Sequence, residues 1–365
     1  MSRYTFLAVL ALFVSSTSLA ASKSVVVKLP PAVGINWCGA EVDHALLAKH
    51  QALYEKNYET NSVRDALSKV GASLVLERRG VELGALVLAD FGDYFQVLLK
   101  GTRSHLGDWL ADADVRGGFR DKLPDPGFMS YHVPNGPAGF RRAAIKIAKS
   151  SHLRHINSRT QPKERDQKSC RKPVYVTGHS LGGAMAYLTA PMFDGLIVKY
   201  EEEAGSYEIS TGGFSRVRKI VTFGAAPYSQ RPASLDEYKE SREKAGEFIG
   251  KIEAYYDSIT VNYVNVDDFV PRAYDISTKS TNTKVGRALF RYAGDTILLD
   301  SIPSLIGAKP EPRKTKATIG PCPHDILIYL VRLSGDEVRK QVDENSFESI
   351  CLLTSPFWKR NLSGE

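Results

Sequence analysis

The sequence predicts an α/β fold, a mostly parallel central sheet flanked by helices, and three observations carry that prediction. Tyr175–Val176–Thr177 is a β-branched and aromatic strand that runs through Gly178–His179–Ser180–Leu181–Gly182–Gly183 into the helical run Ala184–Met185–Ala186–Tyr187–Leu188. Arg218–Phe223 and Ile259–Val266 are two further strands of the same composition, separated by enough chain for strand–helix units. No internal repeat and no second domain interrupts the pattern.

From the N-terminus onward, each element has a local cause. Met1–Ser2–Arg3, the apolar run Phe6–Val14 and the small residues before Ala21 form an export leader, residues 1–20, cleaved after Ala20. That run is too short to remain as a membrane span. Residues 21–365 then read as one domain. Asp43–Tyr58 is an amphipathic helix, and Ala72–Glu77, Ala85–Asp90 and Tyr94–Lys100 are early strands, the last two joined through Phe91–Gly92–Asp93. Gly139–Ser150 is a helix and Ser158–Arg171 a polar loop. Residues 200–216 and 305–318 read as polar insertions. Ser234–Leu235–Asp236–Glu237 is a capping box that opens a charged helix toward Tyr256, and Asp295–Leu299 is a late strand.

A serine between glycines on a strand-to-helix turn is a nucleophile pattern. Gly178 and Gly182 have no Cβ to hold strand and helix apart, and the helix N-terminus aims N–H groups at whatever Ser180 attacks. Such a nucleophile needs a base, and His324 is the only histidine downstream of it. It stands in Pro321–Cys322–Pro323–His324–Asp325, just before the apolar run Ile326–Val331. The orienting carboxylate belongs between them, where strand Ile259–Val266 runs into Asp267–Asp268. One of the two aspartates can hold the imidazole; the other caps the turn.

These segments resemble the class 3, or fungal-type, lipases of the α/β-hydrolase superfamily over roughly residues 70 to 332. Val176–Ala186 is similar to that family's V-x-G-H-S-L-G-G-A-x-A, Val221–Pro227 to its T-F-G-x-P, and Asn265–Pro271 to its N-x-x-D-x-V-P. The last match selects Asp268 over Asp267. Tyr94–Thr102 resembles the strand ending in R-G-T or R-G-S, which implies oxyanion donors at the backbone N–H groups of Thr102 and Leu181. The chain departs from the family at Lys100, where a lysine cannot form arginine's planar bidentate pair. Leu106, Trp109, Leu110 and Ala113 recur at helical spacing opposite Asp108 and Asp112, so this segment is amphipathic. The resemblance makes it the lid, with Leu106, Trp109 and Leu110 touching lipid. It also implies a triacylglycerol lipase working by Ser180, Asp268 and His324, on lipid at a lipid–water interface. Phospholipase A1 or feruloyl-type esterase activity on the same scaffold, and a silent lipid-surface protein, are the alternatives.

The chemistry calls for no metal and no organic cofactor. A formal charge of +7 mildly favours anionic lipid surfaces, but no basic cluster interleaves with aromatics as a nucleic-acid module would require. No obligate protein partner is implied. Four cysteines, Cys38, Cys170, Cys322 and Cys351, in an exported chain imply two disulfides. Cys170 precedes the strand that climbs to Ser180, whereas Cys322 lies beside His324. Those levels are roughly 20 Å apart, too far for a bridge whose Cα atoms are usually within about 7 Å. The family resemblance implies Cys38–Cys351; the residues alone leave the pairing open.

Overall fold

The computed structural model describes residues 25–28, 35–79, 85–101, 130–131, 138–160, 170–201, 206–210, 216–226, 228–230, 254–265, 268, 270, 290–292, 294–299 and 324–334. Its centre is a seven-stranded sheet. The strands are β2 (Leu74–Arg78), β3 (Leu86–Asp90), β4 (Phe95–Leu99), β6 (Val174–His179), β9 (Val217–Phe223), β11 (Thr260–Asn265) and β13 (Asp295–Leu299). The spatial order is β13-β11-β9-β6-β4-β3-β2. Every pair from β4 to β13 is parallel, and β2 and β3 add an antiparallel edge. This mostly parallel sheet with helices on both faces is the α/β-hydrolase architecture.

Alternation along the strands explains the two covered faces. Val174, Val176 and Ile220 point into one core with α3 (Ala138–Ala148), α4 (Ser151–Thr160) and α5 (Leu181–Phe193). Tyr175, Val221 and Phe223 point into the other with α1 (His44–Tyr58) and α6 (Ile326–Leu333). A third cluster seats α2 (Val63–Lys69) and Tyr54 of α1 on Val75, Val87 and Leu98. α5 is buried along its whole length, as its uniformly apolar sequence demands. Asp194, just past its end, accepts the backbone N–H groups of Arg216 and Val217 at 2.7 and 2.6 Å and the Tyr256 hydroxyl at 2.8 Å. That carboxylate ties the exit of α5 to the entry of β9.

Several expected elements stand within a residue or two of their expected bounds. α1 starts where Asp43 caps it, its carboxylate accepting the Ala45 N–H at 2.9 Å. Two expectations about secondary structure are corrected. Residues 158–160, expected in a loop, close α4, whose Leu153 and Ile156 are buried against the core. Residues 200–216, expected to be a polar insertion, contain strand pairing. There β7 (Ile197–Glu201) and β8 (Ser206–Ser210) form an antiparallel pair in a small sheet with β1 (Val25–Lys28) and β5 (Ser130–Tyr131), and β10 (Ser229–Gln230) pairs separately with β12 (Phe290–Arg291). The leader, residues 305–318 and the capping box at Ser234 lie outside the described residues, although 254–258 near Tyr256 are helical.

Cys38 is bonded to Cys170, with Cα atoms 4.9 Å apart, which replaces the Cys38–Cys351 pairing implied by resemblance. The reason is local. Arg171 N–H donates to Asn36 O at 2.7 Å and Cys38 N–H to Arg171 O at 2.8 Å, so the segment before α1 runs beside the base of β6. Cys322 and Cys351 lie outside the described residues.

Candidate active site

β6 delivers Ser180 on a turn that ordinary residues avoid. Ser180 has φ +56° and ψ −128°, and its N–H donates to Phe223 O on the neighbouring strand at 2.9 Å. A non-glycine residue held at positive φ costs of order 1–3 kcal/mol, so the surrounding packing must enforce it. The enforcement is visible in the flanking glycines: a methyl on Gly178 would lie 2.0 Å from Gly182 O, and one on Gly182 would lie 2.3 Å from Leu99 O. Strand, helix and β4 are therefore in backbone contact around the serine. Leu181, fully buried, opens α5, where the first N–H groups have no acceptor within the helix.

Asp268 and His324 meet on the same end of the sheet. Asp268, 1% exposed, comes just after β11, and His324 stands one residue before Asp325, the N-cap of α6. His324 Nδ1 and Asp268 Oδ2 are 2.8 Å apart. The same oxygen accepts the Tyr329 hydroxyl at 2.6 Å, and Oδ1 accepts the Val270 N–H at 2.9 Å. With three donors on two oxygens the carboxylate has one orientation. Burial raises the Tyr329 hydroxyl pKa well above its usual 10, and the Asp268 charge adds to it, so Tyr329 remains a donor.

Gly224, between β9 and the rest of the site, makes room for this pair. Its φ is +56°, and a methyl there would stand 2.7 Å from the Tyr329 oxygen, 2.8 Å from Asp268 Oδ2 and 3.1 Å from His324 Nδ1. It is the glycine of the Val221–Pro227 segment similar to T-F-G-x-P, to which sequence reasoning assigns no role of its own.

His179, the residue before Ser180, has no role assigned by sequence reasoning. It is 7% exposed; its Nδ1 faces Glu55 Oε2 at 3.0 Å and its Nε2 faces the His324 carbonyl oxygen at 2.5 Å. Burial would depress its pKa, but the Glu55 charge and hydrogen bond, the His324 carbonyl and the Asp325 charge outweigh it and raise it to about 9. Burial likewise pushes the Glu55 carboxyl up, and the His179 charge and hydrogen bond reverse that to a lowered value. The spacing G-H-S is the available signal, but its meaning depends on a residue of α1 that lies 124 positions earlier.

The expected oxyanion turn is described only as far as Gly101. Leu99 pairs with Gly178, which puts the end of β4 beside the serine turn. Lys100, the departure from the family pattern, reaches α1 and the residue after it: its Nζ is 3.6 Å from Glu59 Oε1 and 4.4 Å from the Tyr58 ring centroid. A point charge over an aromatic face thus stands where the family has a planar guanidinium. Thr102 and the expected lid residues Leu106, Trp109 and Leu110 lie outside the described residues, as does Asp267. No group of three or more metal-ligating side chains occurs among the described residues.

Residues 97–277, close to half of the chain, match the family described as Lipase (class 3). No curated protein matches the sequence. Among solved structures, the Rhizomucor miehei lipase–propeptide complex is 14% identical with a TM-score of 0.42, covering 74% of this chain and 77% of that one. A lipase from Rhizopus microsporus var. chinensis is 17% identical with a TM-score of 0.37, covering 70% and 79%. A triacylglycerol lipase from Penicillium expansum is 12% identical with a TM-score of 0.39, covering 71% and 82%. These are distant likenesses; the assignment rests on the family match, its serine turn and the sheet that carries it. Residues 97–277 match the class 3 lipase family, and the chain is a lipase-type ester hydrolase with the α/β-hydrolase fold.

Proposed function

We propose that this hydrolase is an exported triacylglycerol lipase acting through a Ser180 acyl-enzyme, with His324 as base and acid and Asp268 as its orienting carboxylate. The observation that carries the reading is the 2.8 Å His324–Asp268 hydrogen bond at the sheet end where Ser180 is held on its strained turn. His324 takes the Ser180 proton as Oγ attacks the ester carbonyl, then returns it to the leaving alcohol; water repeats the sequence to release the acid. Asp268 holds the tautomer with the proton on Nδ1 and stabilises the imidazolium formed in each half. Backbone N–H groups of Leu181 and Thr102 would hold the oxyanion, each worth on the order of 2.7–4 kcal/mol of barrier.

Leu106, Trp109 and Leu110 form the apolar face of a lid that opens onto lipid. The leader 1–20 exports the chain, and the Cys38–Cys170 bond supports an oxidising compartment. Hydrolysis of tributyrin, triolein, phosphatidylcholine and methyl ferulate by wild type and Ser180→Ala tests the reading. Triglyceride turnover is expected to lead the panel, and Ser180→Ala is expected to lose it by about 10⁴-fold or more. A Ser180→Ala variant with full activity, or a clear preference for phosphatidylcholine or methyl ferulate, overturns it. A rate that rises smoothly with soluble ester, without a jump at the micellar threshold, counts against the lid.

A further inference from the structure

His179 lies between α1 and the loop that carries His324, and its two ring nitrogens face different elements. The Nε2 partner is a backbone carbonyl oxygen at 2.5 Å, which can only accept, so that nitrogen carries a proton. The Nδ1 partner is the Glu55 carboxylate at 3.0 Å, which makes the ring an ion-pair member. The carbonyl involved is that of His324 itself. The first turn of α6 leaves it to this contact, since the Ile328 N–H donates to Asp325 O at 3.0 Å. The two imidazole rings stand 4.7 Å apart, tilted by 33°.

We infer that His179 is a positioning residue for His324: anchored on Glu55 of α1, it grips the His324 backbone and sets where that imidazole stands above Ser180. The inference rests on the reading of Ser180 and His324 given above. Glu55 is itself fixed, because Gln51 Nε2 donates to Glu55 Oε1 at 3.0 Å and to Leu99 O at 2.9 Å. Gln51 Oε1 in turn accepts the Thr177 hydroxyl at 3.0 Å, and Gln96 Nε2 donates to that hydroxyl at 3.0 Å. One face of α1 thereby reaches the end of β4, the strand leading to Ser180 and, through His179, the His324 loop. The charged and titratable groups around the His179 ring are Glu55 with Lys100 behind it on β4's end, Asp325 and His324 on the loop, and Tyr329 on α6 at 6.1 Å between ring centroids.

The test compares wild type, Glu55→Gln, His179→Leu, the double variant and His179→Gln, which keeps one N–H donor. Glu55→Gln and His179→Leu are each expected to lower kcat by about tenfold to a hundredfold with KM nearly constant, as small misplacements of a catalytic group do. The double variant is expected to lose no more than the worse single one, and His179→Gln to recover part of the loss. Wild-type kcat is expected to fall above about pH 9, and in Glu55→Gln at lower pH. A folded His179→Leu enzyme with wild-type kcat and an unmoved alkaline limb overturns the inference; should that variant not fold, Glu55→Gln decides by the same criteria. The low-field proton resonance of the His324–Asp268 hydrogen bond reads the geometry without turnover. It is expected to shift in Glu55→Gln, and an unchanged resonance overturns the inference even if the lipase reading itself fails.

Discussion

Ser180 shows how a single residue's backbone can be set by its neighbours. Its positive φ is tolerated because Gly178 and Gly182 bring three backbone segments into contact around it. Gly224 plays the corresponding part for Asp268 and His324. Gly224→Ala would push a methyl into Tyr329, Asp268 and His324 while straining an αL backbone. We expect kcat to fall by about 100-fold and stability by about 1–3 kcal/mol; kinetics paired with thermal melting checks both, and an Ala variant equal to wild type would show that the pair has slack. The proposed set Ser180, Asp268 and His324 is readable in sequence because acyl transfer calls for particular residue types in a particular chain order, with the family resemblance choosing Asp268 over Asp267. Gly224, Tyr329, Glu55 and His179 are not. Each acts through a contact across distant chain, 124 residues for Glu55 and His179, and no local pattern records such a meeting.

Among the elements, α1 stands where it is expected but buries more than apolar side chains. Amphipathic spacing identifies a helix with an apolar face, yet that face buries His50 and Gln51 together with Leu47, Ala48 and Tyr54. The polar pair is tolerated because each is bonded: His50 Nδ1 lies 2.8 Å from Gln96 Oε1, and Gln51 makes the bonds to Glu55, Leu99 and Thr177. The end of α4 and the β7–β8 pair escape sequence reasoning for a different reason. Polar composition outweighs a sparse apolar pattern in α4, and strand pairing supplies the backbone partners that make a hairpin of a charged stretch. The Cys38–Cys170 bond joins the segment before α1 to the base of β6 across 132 residues of sequence. Replacing both cysteines by serine is expected to cost about 2–5 kcal/mol, seen as a lower melting temperature that added reductant no longer changes. A melting temperature equal to wild type would show that the surrounding backbone bonds suffice.

At the scale of the whole molecule, the polar chain from α1 to the His324 loop makes stability depend on pH. The folded His179 pKa, about 9, lies above the free imidazole value of 6.5. Its stabilising contribution is therefore complete below about pH 6.5 and is lost as pH rises through about 9. The stability gap between wild type and Glu55→Gln should be widest near pH 6 and shrink toward pH 10 in melting experiments; a constant gap would contradict this. The strands of the parallel sheet, the turn at Ser180 and the chain order of the proposed serine, acid and histidine were determined by the sequence alone, since they rest on local periodicity, glycine sterics and chemical need. Tertiary structure alone decided which cysteine Cys38 meets, that Lys100 is held by Glu59 and Tyr58, and that His179 grips the His324 carbonyl. Those outcomes depend on α1 lying across the ends of β4 and β6. That placement is selected by the packing of two covered sheet faces and is encoded by no short stretch of chain.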